Sequence, residues 1–116
     1  MSYQTAILTQ SAHVGNKALA NIYDVKYGSG GVIYVLANNC IQKYASASDF
    51  ANNISTLIAG TCGAAGYAEG IGNQAFFSTP KSMVLDQTNN LLYITDSGNN
   101  RIRKVNLSTN VTSLVA

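Results

Sequence analysis

The sequence predicts an all-β chain assembled from repeated four-stranded antiparallel meanders. Three observations carry that prediction: a stretch that recurs about 60 residues further on, short apolar runs divided by Asn, Gly and Ser clusters, and strands that are apolar on both faces. Helix signals are nearly absent.

The repeat comes first, because an internal period decides the architecture. "VIYVLANNCIQKY" (Val32 to Tyr44) resembles "LLYITDSGNNRIRKV" (Leu91 to Val105). Tyr34 falls on Tyr93, and Ile41-Gln42-Lys43 falls on Ile102-Arg103-Lys104, with the register slipping only in the turn between. Further on, "ISTLIAG" from Ile54 matches "VTSLVA" from Val111, so that Leu57 falls on Leu114 and Ala59 on Ala116.

Each copy reads as four short β-rich runs. The first gives "IYDVKY", "VIYVLA", "CIQKYA" and "ISTLIA", separated by "GSGG", "NN" and the longer break "SASDFANN". The second gives "SMVLD", "LLYIT", "RIRKVNL" and "VTSLVA", with "DSGNN" and "STN" between the last three. These breaks are turn chemistry: Asn and Gly accept positive φ, and Asp holds an Asx turn. Runs such as Val32 to Leu36 and Leu91 to Ile94 are apolar on both faces, which requires a sheet covered on both sides. Without helices the cover must be neighbouring sheets, and radial stacking of four-stranded meanders is the β-propeller solution. The expected fold is therefore an incomplete β-propeller: about two blades plus a strand of a preceding one.

Composition narrows function mainly by exclusion. The chain has 116 residues, 47% apolar but only 10% charged, and a net charge of +2. That balance is too weak to steer the chain onto nucleic acid or an anionic membrane. No run approaches the roughly 18 apolar residues of a spanning helix, and the first twenty residues carry no charged start followed by an apolar core, so the chain reads as soluble and untargeted. Cys40 and Cys62 are too few for a disulfide framework and lack C-x-x-C spacing, which makes a Cys40–Cys62 bridge the less expected state. Sequons begin at Asn53, Asn106 and Asn110; about two would arise by chance in so Asn- and Ser-rich a chain, so the compartment stays open.

From Gly66 onward, "GYAEGIGNQAFFSTPKSMVLDQTNNLLYITDSGNNRIRKVN" resembles an NHL repeat. The pattern runs G-x-G-x-x-A-x-F-x-x-P, then a strand, then L-Y-[VI]-[AT]-D-x-x-N-x-R-I. Gly70, Gly72, Ala75, Phe77, Pro80, Asp86, Tyr93, Asp96, Asn99, Arg101 and Ile102 stand where it puts such residues. The first copy is worn: it lacks the proline, has Ala37 near the place of the aspartate, and has Cys40 in place of the arginine. The resemblance implies a propeller of about six blades. "TAILTQ" (Thr5 to Gln10) reads as the last strand of a preceding blade, and Ala116 stops one residue short of the glycine that follows Ala59. Both ends therefore read as cuts through a longer array. The expected division is 1–17 as the outer strand of a preceding blade and linker, 18–60 as the worn blade, 61–77 as a Gly-rich connection, and 78–116 as the NHL-like blade.

Candidate chemistry is sparse. Gly70-Ile71-Gly72-Asn73-Gln74-Ala75 satisfies a dinucleotide fingerprint, but Pro80 and a β meander follow where a helix N-terminus is needed. Asp96-Ser97-Gly98-Asn99-Asn100 opens like a calcium loop, but Leu107 stands where the bidentate glutamate belongs. One histidine, His13, and the five carboxylates Asp24, Asp49, Glu69, Asp86 and Asp96 show no spacing of a catalytic or metal site. No cofactor, metal or catalytic residue is expected. Gly70, Gly72, Phe77, Pro80 and Asp96 are read as structural turns and wedges, with a phenylalanine between blades. The loop-face binding candidates are Asp96, Asn99, Asn100, Arg101 and Arg103, with the Arg101 and Arg103 head groups expected in water. The functional expectation is a non-catalytic binding scaffold taking a protein or small ligand on the propeller face, and self-associating if it exists as two blades alone. The alternatives are part of a metal-dependent propeller lyase or hydrolase, with its catalytic residues in other blades, and an RNA-binding propeller. The basic cluster Arg101, Arg103 and Lys104 does not recur in the first copy, so nucleic acid is the less expected partner.

Overall fold

The computed structural model describes residues 22–116. The expected strand at Thr5 to Gln10, the linker containing His13 and the start of the first blade lie outside the described residues. The first sheet is an antiparallel meander of β1 (Ile22–Tyr27), β2 (Ile33–Ala37), β3 (Cys40–Tyr44) and β4 (Thr56–Gly60), in that order. The second contains β5 (Gly70–Ile71), β6 (Pro80–Asp86), β7 (Leu91–Asp96), β8 (Arg101–Asn106) and β9 (Val111–Leu114), ordered β5-β9-β8-β7-β6. Asparagine makes the tight turns possible. Of the seven non-glycine residues with positive φ among those described, six are Asn: Asn38, Asn39, Asn53, Asn90, Asn100 and Asn110.

Two elements depart from the expected pair of meanders. The break after β3 folds into a short helix, α1 (Ala47–Ala51), because the Ser46 hydroxyl caps it by accepting the Asp49 N–H at 3.1 Å. Its Phe50 is buried edge-on against Tyr44, with ring centroids 4.8 Å apart. The second sheet has five strands rather than four. The Gly-rich connection does not pass directly from β4 to the next inner strand. It first lays Gly70–Ile71 against Val111–Thr112 of β9, closing that outer edge.

The core lies between the sheets. All five residues of β2 are buried, and they alternate. Ile33, Val35 and Ala37 join Val25, Tyr44 and Phe50 on one side. Tyr34 and Leu36 point the other way, joining Ile41, Ile58 and Ala59 of their own sheet and Met83, Leu92, Ile94 and Val105 of the second. Phe77 is fully buried in this shared cluster, so one side chain of the connection packs against both sheets. The fit is close enough to dictate Gly60 (φ 92°): a Cβ there would lie 2.6 Å from the Asn39 carbonyl oxygen and 2.9 Å from the Phe77 ring.

Polar contacts join the sheets at both edges. On the inner side, Asp24 of β1 accepts the Met83 N–H of β6 at 2.9 Å, and the Lys81 ammonium lies 5.3 Å from the Tyr23 ring centroid. On the outer side, the Gly60 N–H donates to the Gly72 carbonyl at 3.1 Å, and the Gly72 N–H to the Asn110 carbonyl at 3.0 Å. These contacts stack the two sheets as neighbouring blades of a partial β-propeller. The stack is not closed. Ile41 is 0% exposed because the second sheet covers it, whereas Ile102, its counterpart in the repeat, is 42% exposed and Val84 on the same face is 62% exposed.

Truncating the wedge is expected to be costly and truncating the open face is not. Phe77→Ala should lower unfolding free energy in urea by about 3–5 kcal/mol, whereas Val84→Ala should change it by less than about 0.5 kcal/mol. Equal losses would contradict the placement of the core. A second expectation concerns the turn after β6, where the Asn89 side chain and backbone N–H both donate to Asp86, holding its carboxyl below the usual range. A depressed folded-state value stabilises above the ordinary carboxylate range, and that contribution is lost as pH falls through the folded value. Asn89→Ala should therefore move the Asp86 midpoint upward in an NMR titration; an unmoved midpoint would refute the assignment.

Candidate functional site

The candidate residues gather where the β7–β8 turn meets the connection from the first sheet. The connection doubles back on itself. The Gly66 N–H donates to the Phe77 carbonyl at 3.1 Å and the Phe76 N–H to the Ala68 carbonyl at 3.0 Å, which makes a hairpin beside β8. Arg103 projects from β8 into this hairpin. Its two terminal nitrogens donate to carbonyls on both arms, to Phe76 at 3.0 Å and to Ala68 at 2.5 Å.

Arg103 is fully buried, and so is the carboxylate that neutralises it. Asp96 Oδ2 accepts from Arg103 at 2.7 Å and from the Asn99 amide at 2.8 Å, while Oδ1 accepts the Ser78 N–H at 2.8 Å. The same Asn99 amide donates to the Gly66 carbonyl at 2.9 Å. The Arg103 guanidinium lies 4.6 Å from the Tyr67 ring centroid and 5.0 Å from that of Phe77. Its Nε has no hydrogen-bond partner among the described residues. A planar cation with forked donors suits this slot, where two rings flank it and three oxygens receive it.

The structure thus separates the five loop-face candidates. Asp96 and Arg103 are internal, so the expectation that the Arg103 head group sits in water is corrected: strand alternation turns it inward beside Val105 while Ile102 turns outward. Asn99 is half-buried and committed to Asp96 and Gly66. Asn100 is exposed in the left-handed conformation (φ 53°). Arg101 is exposed, bonded to the Asn99 carbonyl at 2.8 Å and set 4.8 Å from the Tyr67 centroid, so Tyr67 contacts both arginines. Lys104 pairs with Tyr93 and Ser113 on the opposite face of the sheet, so the basic run of the sequence divides among an ion pair, an aromatic stack and another surface.

The remaining candidates hold the chain path. Pro80 is buried at the start of β6 opposite Asp96. Gly70 (φ 141°) and Gly72 (φ 57°) lie in the outer-edge excursion. Gly98 approaches Ser78 so closely that a Cβ would collide with its carbonyl and hydroxyl oxygens, and its N–H donates to that carbonyl at 2.7 Å. Among the described residues, no group of three His, Cys, Asp or Glu is arranged to hold a metal.

The other end of the connection is fastened covalently. Cys40 and Cys62 form a disulfide, with Cα atoms 4.9 Å apart, which corrects the expectation of unpaired cysteines. The β3–β4 register explains it: Cys40 lies opposite Gly60, and Cys62 follows two residues later as the chain turns back over β3. The Gln42 amide donates to Cys62 Sγ at 3.6 Å. The sequence signal was the meander register, not the cysteine spacing.

Breaking either fastening should be measurable. Asp96→Ala leaves a buried guanidinium uncompensated and is expected to cost about 3–5 kcal/mol, with Arg103→Met in the same background recovering part of the loss. No recovery in that double variant would contradict the pairing. Replacing both cysteines by Ala releases a loop whose closure is worth about 3 kcal/mol in the chain-entropy description. An unchanged unfolding midpoint would contradict a stabilising bridge.

No curated protein matches the sequence. Among solved structures, the chain is similar to an auxiliary nutrient binding protein from Bacteroides thetaiotaomicron, at a TM-score of 0.66 and 15% identity over 89% of this chain. It spans 26% of that protein's length, and at this identity the likeness concerns the fold alone. The family model of the NHL repeat matches residues 77–105, the stretch from the Phe77 wedge through β8 that includes Asp96, Asn99 and Arg103. That stretch of the second sheet is similar to an NHL repeat and is set in a partial β-propeller.

Proposed function

We propose that this chain is a non-catalytic segment of a longer β-propeller, serving as a scaffold that binds a protein or small ligand where the β7–β8 turn emerges. The observation that carries the reading is the division of labour at that turn. Asp96 and Arg103 are occupied with each other and with the connection, leaving Asn100, Arg101 and Tyr67 exposed on a rigid support. Rigid turns on a fixed scaffold are where binding residues concentrate. The fold likeness to a nutrient-binding protein supports the scaffold class without specifying a ligand. In this reading residues 18–60 and 78–116 are blades and 61–77 is the fastened connection, while the expected place of 1–17 lies outside the described residues.

The test is equilibrium binding of whatever partner the parent propeller captures. Arg101→Glu should weaken binding about tenfold without moving the unfolding midpoint. Unchanged affinity, or turnover of the captured ligand, would contradict the proposal. The open face leads to a second outcome. Ile71, Val84 and Ile102 are exposed on the second sheet, an apolar surface suited to cover by another blade. Alone, the chain is expected to self-associate, with three copies able to supply six blades. A stable folded monomer by light scattering at micromolar concentration would overturn this.

A further inference from the structure

Sequons and cysteines take on a different meaning once the fold places them. Both cysteines are joined and no free thiol is left. A structural disulfide persists in oxidising compartments, where N-linked glycosylation also operates in organisms that carry it out. The three sequons are not scattered. Ile54, Leu107, Ser108 and Asn110, drawn from all three, line one groove of about 310 Å³ between the sheets. Asn106 ends β8 and Arg101 begins it, so the sequon cluster and the candidate binding turn lie at opposite ends of that strand.

The three sites differ in what a sugar would disturb. Asn106 Oδ1 already accepts the Ser108 N–H at 2.9 Å, and Thr112, the hydroxyl residue of the Asn110 sequon, is 1% exposed. Asn53 sits in a positive-φ turn (φ 59°) just after α1, half-buried like Asn106 and Asn110, and no hydrogen bond engages its side chain among the described residues. Its neighbours are open at the surface: Ser55 is exposed although its hydroxyl donates to Gln42 Oε1, and Ile54 is 58% exposed, an apolar surface on which a sugar ring can rest. We propose that Asn53 carries an N-linked glycan, covering the groove end of the blades and leaving the Asn100–Arg101 end for partners. The modification is independent of the binding reading above and can fail without it.

One digestion tests both the compartment and the site. Trypsin cleaves after Lys26, Lys43 and Lys81, so an unreduced digest joins residues 27–43 to 44–81 through Cys40–Cys62 and keeps Asn53 on the same species. Applied to protein isolated from the organism that makes it, mass spectrometry should find this pair carrying hexosamine. Enzymatic release in heavy-oxygen water should leave labelled Asp at position 53. Recovery of the pair without sugar, free thiols at Cys40 and Cys62, or sugar confined to residues 105–116 would each overturn the proposal.

Discussion

The buried pair of Arg103 and Asp96 is the constraint on which the second blade depends. A guanidinium taken wholly out of water must be neutralised and must find acceptors for its N–H groups, since desolvation alone costs several kcal/mol. Here the acceptors include the backbone carbonyls of Ala68 and Phe76, on the two arms of the connection. The charge cannot be satisfied unless the hairpin is in place, and the hairpin cannot shift without abandoning it. Phe77 then has a fixed position between the sheets, Ser78 is tied to Asp96, and Pro80 starts β6 in register. Hydrophobic replacements of such pairs are often neutral or better, so what the contacts themselves establish is that one side chain ties both arms of the connection to β8.

The two ends of the connection solve one mechanical problem with different chemistry. At the first blade a covalent bridge fixes the chain as it leaves β4; at the second an ion pair with backbone bonds fixes it as it enters β6. Ala37, near the place of Asp96, and Gln42, in place of Arg103, cannot form the polar lock in the first blade. Cys40 occupies the position of Arg101 there. The wear of the first repeat is therefore a change of fastening as well as a loss of pattern. The two solutions answer to different conditions: reductant opens one, and loss of charge at Asp96 weakens the other.

The β architecture was legible because it rests on local chemistry. The Asn-rich breaks turn where positive φ is needed, and β2 is buried on both faces as its apolar run requires, whereas β7, equally apolar, is fully buried on one face only. What escaped depended on partners distant in sequence. The Arg103 head group was expected in water, yet alternation from Val105 puts it inward, and nothing local announces the carbonyls that receive it. The disulfide needed the β3–β4 register, β5 needed the edge of β9, and α1 was hidden in a polar break whose single buried residue is Phe50. Within the candidate segment, the division into support and surface was not legible, because burial on a short strand follows from packing rather than residue type.

One buried cation fastens the connection to the second blade. Amide hydrogen exchange in Arg103→Lys measures this most directly, since lysine keeps the charge but cannot reach both arms with a planar fork. The amides of Gly66, Phe76, Ser78 and Gly98 should lose protection together, while those paired between β2 and β3 keep theirs. Unchanged protection in the connection, or an equal loss across both sheets, would contradict it.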